Sequence, residues 1–215
     1  MNALIFDVES DGLLDTTQEI HCIVIHDTKT GEYTRYNTQD GCKSVQEGVD
    51  RLCEADPNEY ILVGHNVLGF DIPVISKLHN QYPQAKIIDT LVCTRLIWPD
   101  IREKDFSFAR KNAWFPKNLI GSHSLKAWGY RIGLRKGDFK DGGDFSKWSQ
   151  EMEDYCVKDV EVTKRLWENI KLKDYSSVAI DLEHKFFQAI YFQEGHGFAF
   201  DYKKAEDLYV KMAKR

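Results

Sequence analysis

The sequence has few cysteines and no paired ones: Cys22, Cys42, Cys53, Cys93 and Cys156 show no Cys-x-x-Cys spacing and are odd in number. That excludes a disulfide framework and a zinc ribbon, and points to free thiols in a reducing compartment. Also missing are an apolar run of membrane-spanning length, a signal peptide ahead of the first strand, and any repeat or low-complexity tract. A cytoplasmic protein with no membrane partner is expected. Basic excess is absent too, with 29 Lys and Arg against 34 Asp and Glu and a net charge of −5. The whole chain therefore does not look like a polyanion-binding surface. An enzyme whose carboxylates hold divalent cations would show the same balance, so local charge matters more than the total.

What is present fits one substantial domain, alone or with an appendage: 215 residues, 42% hydrophobic and 29% charged. Residues 3–9, 20–27 and 32–37 read as strands, with a turn at Thr28-Lys29-Thr30-Gly31 between the last two, and predict an antiparallel meander. Val45, Val49, Leu52 and Cys53 then fall at helical spacing within 43–55. "YILVGHN" and "KIIDT" read as short strands. Helices are expected at 72–82, with Pro73 in the first turn, at 91–98 and at 124–133. From Ser146 to Ile170 one long helix carries Met152, Tyr155, Val160, Thr163 and Leu166 on its apolar side.

Between Pro99 and Gly121 the periodicity stops. A loop that long inside a domain is a candidate for function. Its interleaved Lys, Arg and aromatic residues at 104–117 suit single-strand stacking, or a partly packed lid. A Gly- and Asp-rich loop follows at Lys136–Asp144. Meander first and strand–helix alternation after it imply an α/β mixed sheet with helices on its faces. Two further helical patterns, at about 179–194 and 202–214, look like an appendage. In the last of these, Ala205, Leu208, Tyr209 and Met212 form an apolar stripe that needs a partner, either the preceding helix or another chain.

Within the first strand, "FDVES", Asp7 and Glu9 lie two apart and so project from the same face. Side by side they repel unless a cation lies between them or one stays protonated. Asp71 follows "GHNVLGF" at a strand–helix junction. In "DYCVKDVEVTKRL", Tyr155 and Asp159 share one face of the long helix, the face its apolar neighbours mark as inward. A buried-facing Asp needs a partner or a metal. Hard oxygen ligands suit Mg²⁺ or Mn²⁺, and phosphodiester hydrolysis by two such ions accounts for the whole set, with a Tyr hydroxyl orienting the attacking water.

"FDVES", "HNVLGFD" and "YCVKD" together resemble the three exonuclease motifs of the DEDD superfamily in its Tyr-containing subgroup. That subgroup includes RNase D and the proofreading domains of family A DNA polymerases. "IDTLVCTRLIWP", "GSHSLKAWGYRIG" and "GDF" are similar, more narrowly, to the exonuclease domain of replicative polymerases of short-tailed bacteriophages. The resemblance covers nearly the whole chain. It implies an RNase H-like fold and 3′→5′ exonuclease action on single-stranded or frayed DNA 3′ ends, in host cytoplasm if the chain is phage-encoded. It further implies that Asp7, Glu9 and Asp159 hold one metal, that Asp7 bridges to a second, that Asp71 acts mainly through the second metal's waters, and that Tyr155 positions the nucleophilic water. Leu13 falls at the position of an apolar wedge between the last two bases, and Ser10 and Asn66 at supports for the terminal nucleotide.

Taken singly, Asp7 and Glu9 would be a salt-bridged strand end, Tyr155 a core tyrosine and Leu13 a loop hydrophobe. Their joint occurrence, in order, favours the catalytic reading. His65 stays outside it, as a structural residue at a strand end. An RNase D-like exoribonuclease and a non-catalytic module of the same fold are the alternatives. The domain plan expected is 1–172 for the exonuclease domain and 173–215 for a helical connector like the one that leads into a polymerase domain, whether that domain was cut away or resides on a second chain.

Overall fold

The computed structural model describes residues 1–134 and 144–213; of the Gly- and Asp-rich segment, only Asp144 is among them. Alternation near the N-terminus produces the expected meander. β1 (Asn2–Ser10), β2 (Ile20–Asp27) and β3 (Tyr33–Asn37) pair antiparallel in chain order. β4 (Lys43–Ser44) adds a short parallel edge to β3. The chain then crosses through α1 (Val45–Cys53) to β5 (Tyr60–Gly64), and through α2 (Asp71–His79) to β6 (Lys86–Asp89). β5 lies parallel to β1 and β6 parallel to β5, giving the order β4-β3-β2-β1-β5-β6. This is a mixed, RNase H-like sheet.

β1 is central and sandwiched, and its period of two sorts its side chains. Leu4, Phe6 and Val8 join one core with Val49, Leu52, Val74 and Ile75 of α1 and α2. Ala3 and Ile5 join the other with Met152, Cys156, Val160 and Leu166 of α6 (Gln150–Lys171). Asp7 and Glu9 continue the parity of Ala3 and Ile5, so they face α6. That helix starts four residues later than its apolar pattern suggested, where the Ser149 hydroxyl accepts from the Met152 N–H at 3.1 Å. Its first turn is tied to the β3 edge through buried Glu153, which accepts from Asn37 Nδ2 at 2.6 Å and Trp148 Nε1 at 3.2 Å.

The stretch from Pro99 to Gly121 is not the loop its lost periodicity suggested. It contains α4 (Ile101–Lys111) and a 3₁₀ turn at Lys117–Leu119, and it follows directly on α3 (Thr90–Ile97). Only Ile101 and Asp105 are buried on α4. Their four-residue spacing is a helical stripe, but one member is a carboxylate, so hydrophobicity alone cannot register it. Arg131, the last residue of α5 (Leu125–Arg131), neutralises that carboxylate, donating from Nε to Oδ1 at 2.9 Å and from Nη2 to Oδ2 at 2.6 Å.

α7 (Ser177–His196) lies against the sheet's far edge. His184 Nε2 accepts from the Asp89 N–H at 2.7 Å, and its Nδ1, 2.7 Å from the Ile180 carbonyl, therefore donates. Lys86 of β6 pairs with Asp181. α8 (Tyr202–Ala213) buries no side chain, and Leu208, Tyr209 and Met212 stay exposed; folding back on α7 does not cover that stripe. Among the described residues no helix is long and apolar enough to cross a membrane.

Because α7 supplies the acceptor for a buried N–H, ending the chain at residue 172 should lower the melting temperature by about 5 °C or more, whereas ending it at 197 should leave it within about 1 °C. Circular-dichroism melts of the three lengths check this.

Candidate active site

Pairing between β1 and β5 stops at Ile5–Val63, so the last residues of β1 have no ladder on that side. The β5 strand ends at Gly64, where an added Cβ would come within 2.1 Å of Val67 Cγ1 and 3.1 Å of the Phe6 carbonyl oxygen. Only a residue without a side chain fits. The chain then turns through Asn66 in the left-handed region, φ 63°, which Asn tolerates. Asp89 pins the turn from below, accepting from the Asn66 N–H at 2.9 Å and the Leu68 N–H at 3.0 Å. It also caps α3 through the Leu91 N–H at 2.8 Å.

That turn delivers Asp71, the first residue of α2, to the open side of β1. Its Oδ1 accepts from the Val8 N–H at 2.9 Å, replacing the missing ladder partner. From the other side α6 closes in, fixed by the Cys156 thiol donating to the Asp7 carbonyl at 3.4 Å. One turn on, Asp159 meets the strand: ligand oxygens of Asp7, Glu9 and Asp159 all lie within 4.8 Å of one another. Tyr155 is buried one turn before Asp159 and lines the same cleft.

Charge repulsion is the central fact of this geometry. Burial, and then the charge on Asp7, hold the Asp71 carboxyl well above the ordinary carboxylate range. Like charges this close make the cluster of Asp7, Glu9 and Asp159 costly to hold without a counter-charge. Its donors are hard carboxylate oxygens carried by two rigid elements, a set that suits Mg²⁺ or Mn²⁺ better than a soft or imidazole-preferring metal.

The cleft above the cluster has a volume of about 1260 Å³ and is also lined by Ser10, Leu13 and Asn66. All eight expected site residues thus converge on it. The Ser10 hydroxyl donates to the Gly12 carbonyl at 3.0 Å. Leu13 is 78% exposed at the lip. Its loop is held by Lys77 Nζ, which donates to the carbonyls of Leu14, Asp15 and Thr17, and by Asp11, which accepts from the Thr17 hydroxyl and the Gln18 N–H.

Sequence reading gave no role to Arg95, His123, Lys126 and Phe145, which also line the cleft. Arg95 lies in "IDTLVCTRLIWP", and His123 and Lys126 lie in "GSHSLKAWGYRIG", whose polar positions have no period of their own. His65 also lines the cleft, with Nδ1 2.9 Å from the Thr90 hydroxyl. No residue from 104–117 lines it.

No family model matches the sequence. The DNA-directed DNA polymerases of Escherichia phage T7 and Enterobacteria phage T3 are each 32% identical to it, across 99% of this chain and 35% of theirs. The chain spans about a third of the length of these curated relatives. Among solved structures, an apo nuclease aligns with a TM-score of 0.59 at 17% identity, over 93% of this chain and 89% of its own. Brucella melitensis NrnC bound to pGG aligns at 0.56 and 18% identity, over 89% and 80%. E. coli exonuclease I in complex with a dT13 oligonucleotide aligns at 0.52 and 15% identity, over 84% and 43%. At such identities these structures establish the fold. The chain is a relative of the phage T7 and T3 DNA polymerases over the third of their length that it spans, and it carries the RNase H-like fold of its exonuclease neighbours.

Proposed function

We propose that this chain is a 3′→5′ exonuclease that removes nucleoside monophosphates from single-stranded or frayed DNA 3′ ends, and that it serves proofreading in DNA replication. The observation that carries the proposal is the cluster of Asp7, Glu9 and Asp159 oxygens within 4.8 Å at the floor of the cleft. Two Mg²⁺ or Mn²⁺ ions, when bound, would activate a water and neutralise charge on the scissile phosphate. Asp7, Glu9 and Asp159 would hold one, with Asp7 shared by the second and Asp71 acting through that ion's waters. The Tyr155 hydroxyl orients the attacking water. Ser10 and Asn66 support the terminal nucleotide, and Leu13 wedges between the last two bases.

DNA is favoured over RNA because the relatives in sequence are DNA polymerases. A non-catalytic module is disfavoured by the presence of all four carboxylates and the tyrosine in one cleft. We read residues 1–172 as the exonuclease unit and 173–215 as the connector to a polymerase domain or subunit, for which the exposed Leu208, Tyr209 and Met212 offer a surface. Its place of action would be the host cytoplasm.

Asp7→Ala or Asp159→Ala should abolish Mg²⁺- or Mn²⁺-dependent hydrolysis of an oligonucleotide while the protein stays folded. Millimolar Mn²⁺ should raise the melting temperature of the wild type and not of either variant. Near-wild-type rates in either variant would overturn the metal assignment.

Tyr155→Phe keeps every carboxylate. A fall in kcat on the order of ten- to a thousandfold is expected from the loss of one orienting hydroxyl, with Mn²⁺ affinity unchanged. An unaltered kcat would remove Tyr155 from the mechanism.

Matched single-stranded DNA and RNA, and duplexes with paired or mismatched 3′ ends, test the substrate. Single-stranded DNA should be degraded fastest, then mismatched ends, then paired ends, since opening each base-pair step costs about 1.4 kcal/mol. Equal rates on paired and mismatched ends would contradict proofreading.

A further inference from the structure

We propose that the outer face of α4 and the turn after it form a track for single-stranded DNA, continuing the path of the strand as it leaves the cleft. The proposal rests on the exonuclease reading and extends it to nucleotides well 5′ of the reacting end. Three observations carry it.

The first is charge. Arg102, Arg110, Lys111 and Lys117 are exposed, and between 101 and 117 the carboxylates are Glu103 and the buried, Arg131-paired Asp105. Lys104 is engaged by Asp100 at 2.9 Å and adds less. In a chain of net charge −5 this is a local cationic face, and a phosphodiester backbone is its electrostatic complement.

The second is the aromatic pair set among those charges. Phe106 is 46% and Trp114 43% exposed. Neither ring is loose. The Arg102 guanidinium lies 5.7 Å from the centre of the Phe106 ring, and Trp114 stacks on Tyr130 with centroids 6.2 Å apart and planes 20° from parallel. Cations interleaved with supported aromatic faces suit single strands, because every base offers a π-face and none is read by its edges.

The third is continuity with the active site. Gly121 and Ser122 form part of the cleft wall. Both are fastened to α4: Asp105 Oδ2 accepts from the Gly121 N–H at 2.8 Å, and Arg131 Nη2, held by the same carboxylate, donates to the Ser122 carbonyl at 2.6 Å. A Cβ at Gly121 would come within 3.1 Å of Arg102 Cβ, so the cleft wall rests directly on the first turn of α4. A strand passing over that wall meets Arg102 and Phe106 next.

The test uses the full chain with labelled dT4 and dT20, with binding followed by fluorescence anisotropy in Ca²⁺, where little turnover is expected. Arg110→Glu/Lys111→Glu, and separately Phe106→Ala, should weaken dT20 binding on the order of tenfold and leave dT4 unchanged. For the charge variant, the slope of log affinity against log salt with dT20 should shrink by about 0.7 per lost phosphate contact. Hydrolysis of dT4 in Mg²⁺ should keep its wild-type rate in both variants. Wild-type dT20 affinity in both variants, or equal losses on dT4 and dT20, would overturn the track. If the wild type hydrolyses neither oligonucleotide in Mg²⁺ or Mn²⁺, the exonuclease reading fails, while the anisotropy comparison still decides the track.

Discussion

Everything about this molecule's working end depends on like-charged carboxylates held where they repel. Asp7 and Glu9 come from one strand and Asp159 from a helix packed across it, with ligand oxygens within 4.8 Å. Asp71 lines the same cleft, buried and pushed toward its protonated form by burial and by the charge on Asp7. Folding alone gains nothing from such a cluster, and the two apolar cores on either face of β1 must offset its cost. That investment makes sense as preparation for a cation, because multivalent charge turns the repulsion into binding energy.

The surroundings are built by polar groups doing the work of missing ladders. Where β1 outruns β5, Asp71 satisfies the Val8 N–H. Where β5 gives way to a turn, Asp89 collects three backbone N–H groups, and its own N–H passes to His184 on α7. Lys77 does the reverse for the loop bearing Leu13, serving three carbonyls at once. Elsewhere along the cleft the Asp105–Arg131 pair fixes Gly121 and Ser122. The Asp71, Asp89 and Asp105 carboxylates are buried and the Lys77 ammonium is exposed; all close on backbone atoms and so fix a loop's position. The same pair joins the cleft wall to α4, whose exterior is basic and aromatic.

Much of this was legible in the residues. Alternation marked β1–β3, and short apolar runs between helical patterns marked β5, β6, α2 and α3, since period and burial are local consequences of composition. The carboxylate set was legible too. Asp7 and Glu9 share a strand parity, Tyr155 and Asp159 share a helix face, and both features follow from backbone geometry without knowledge of the partner. α4 was not legible, because its inward stripe contains Asp105, and a charged residue counts as inward only once Arg131, 26 residues away, is known to meet it. Asp89, Lys77 and His184 were hidden for the same reason: their partners are backbone atoms of distant segments.

By itself, then, the sequence determined which side chains each element would present and to which face, because those are properties of a single strand or helix. Only the tertiary structure decided that β1 would outrun β5, that α6 would bring Asp159 against Asp7 and Glu9, and that the segment once read as a loop would become a helix beneath the cleft wall. Those outcomes depend on where ladders end and which buried charges find partners. Both are settled by contacts between residues far apart in the chain.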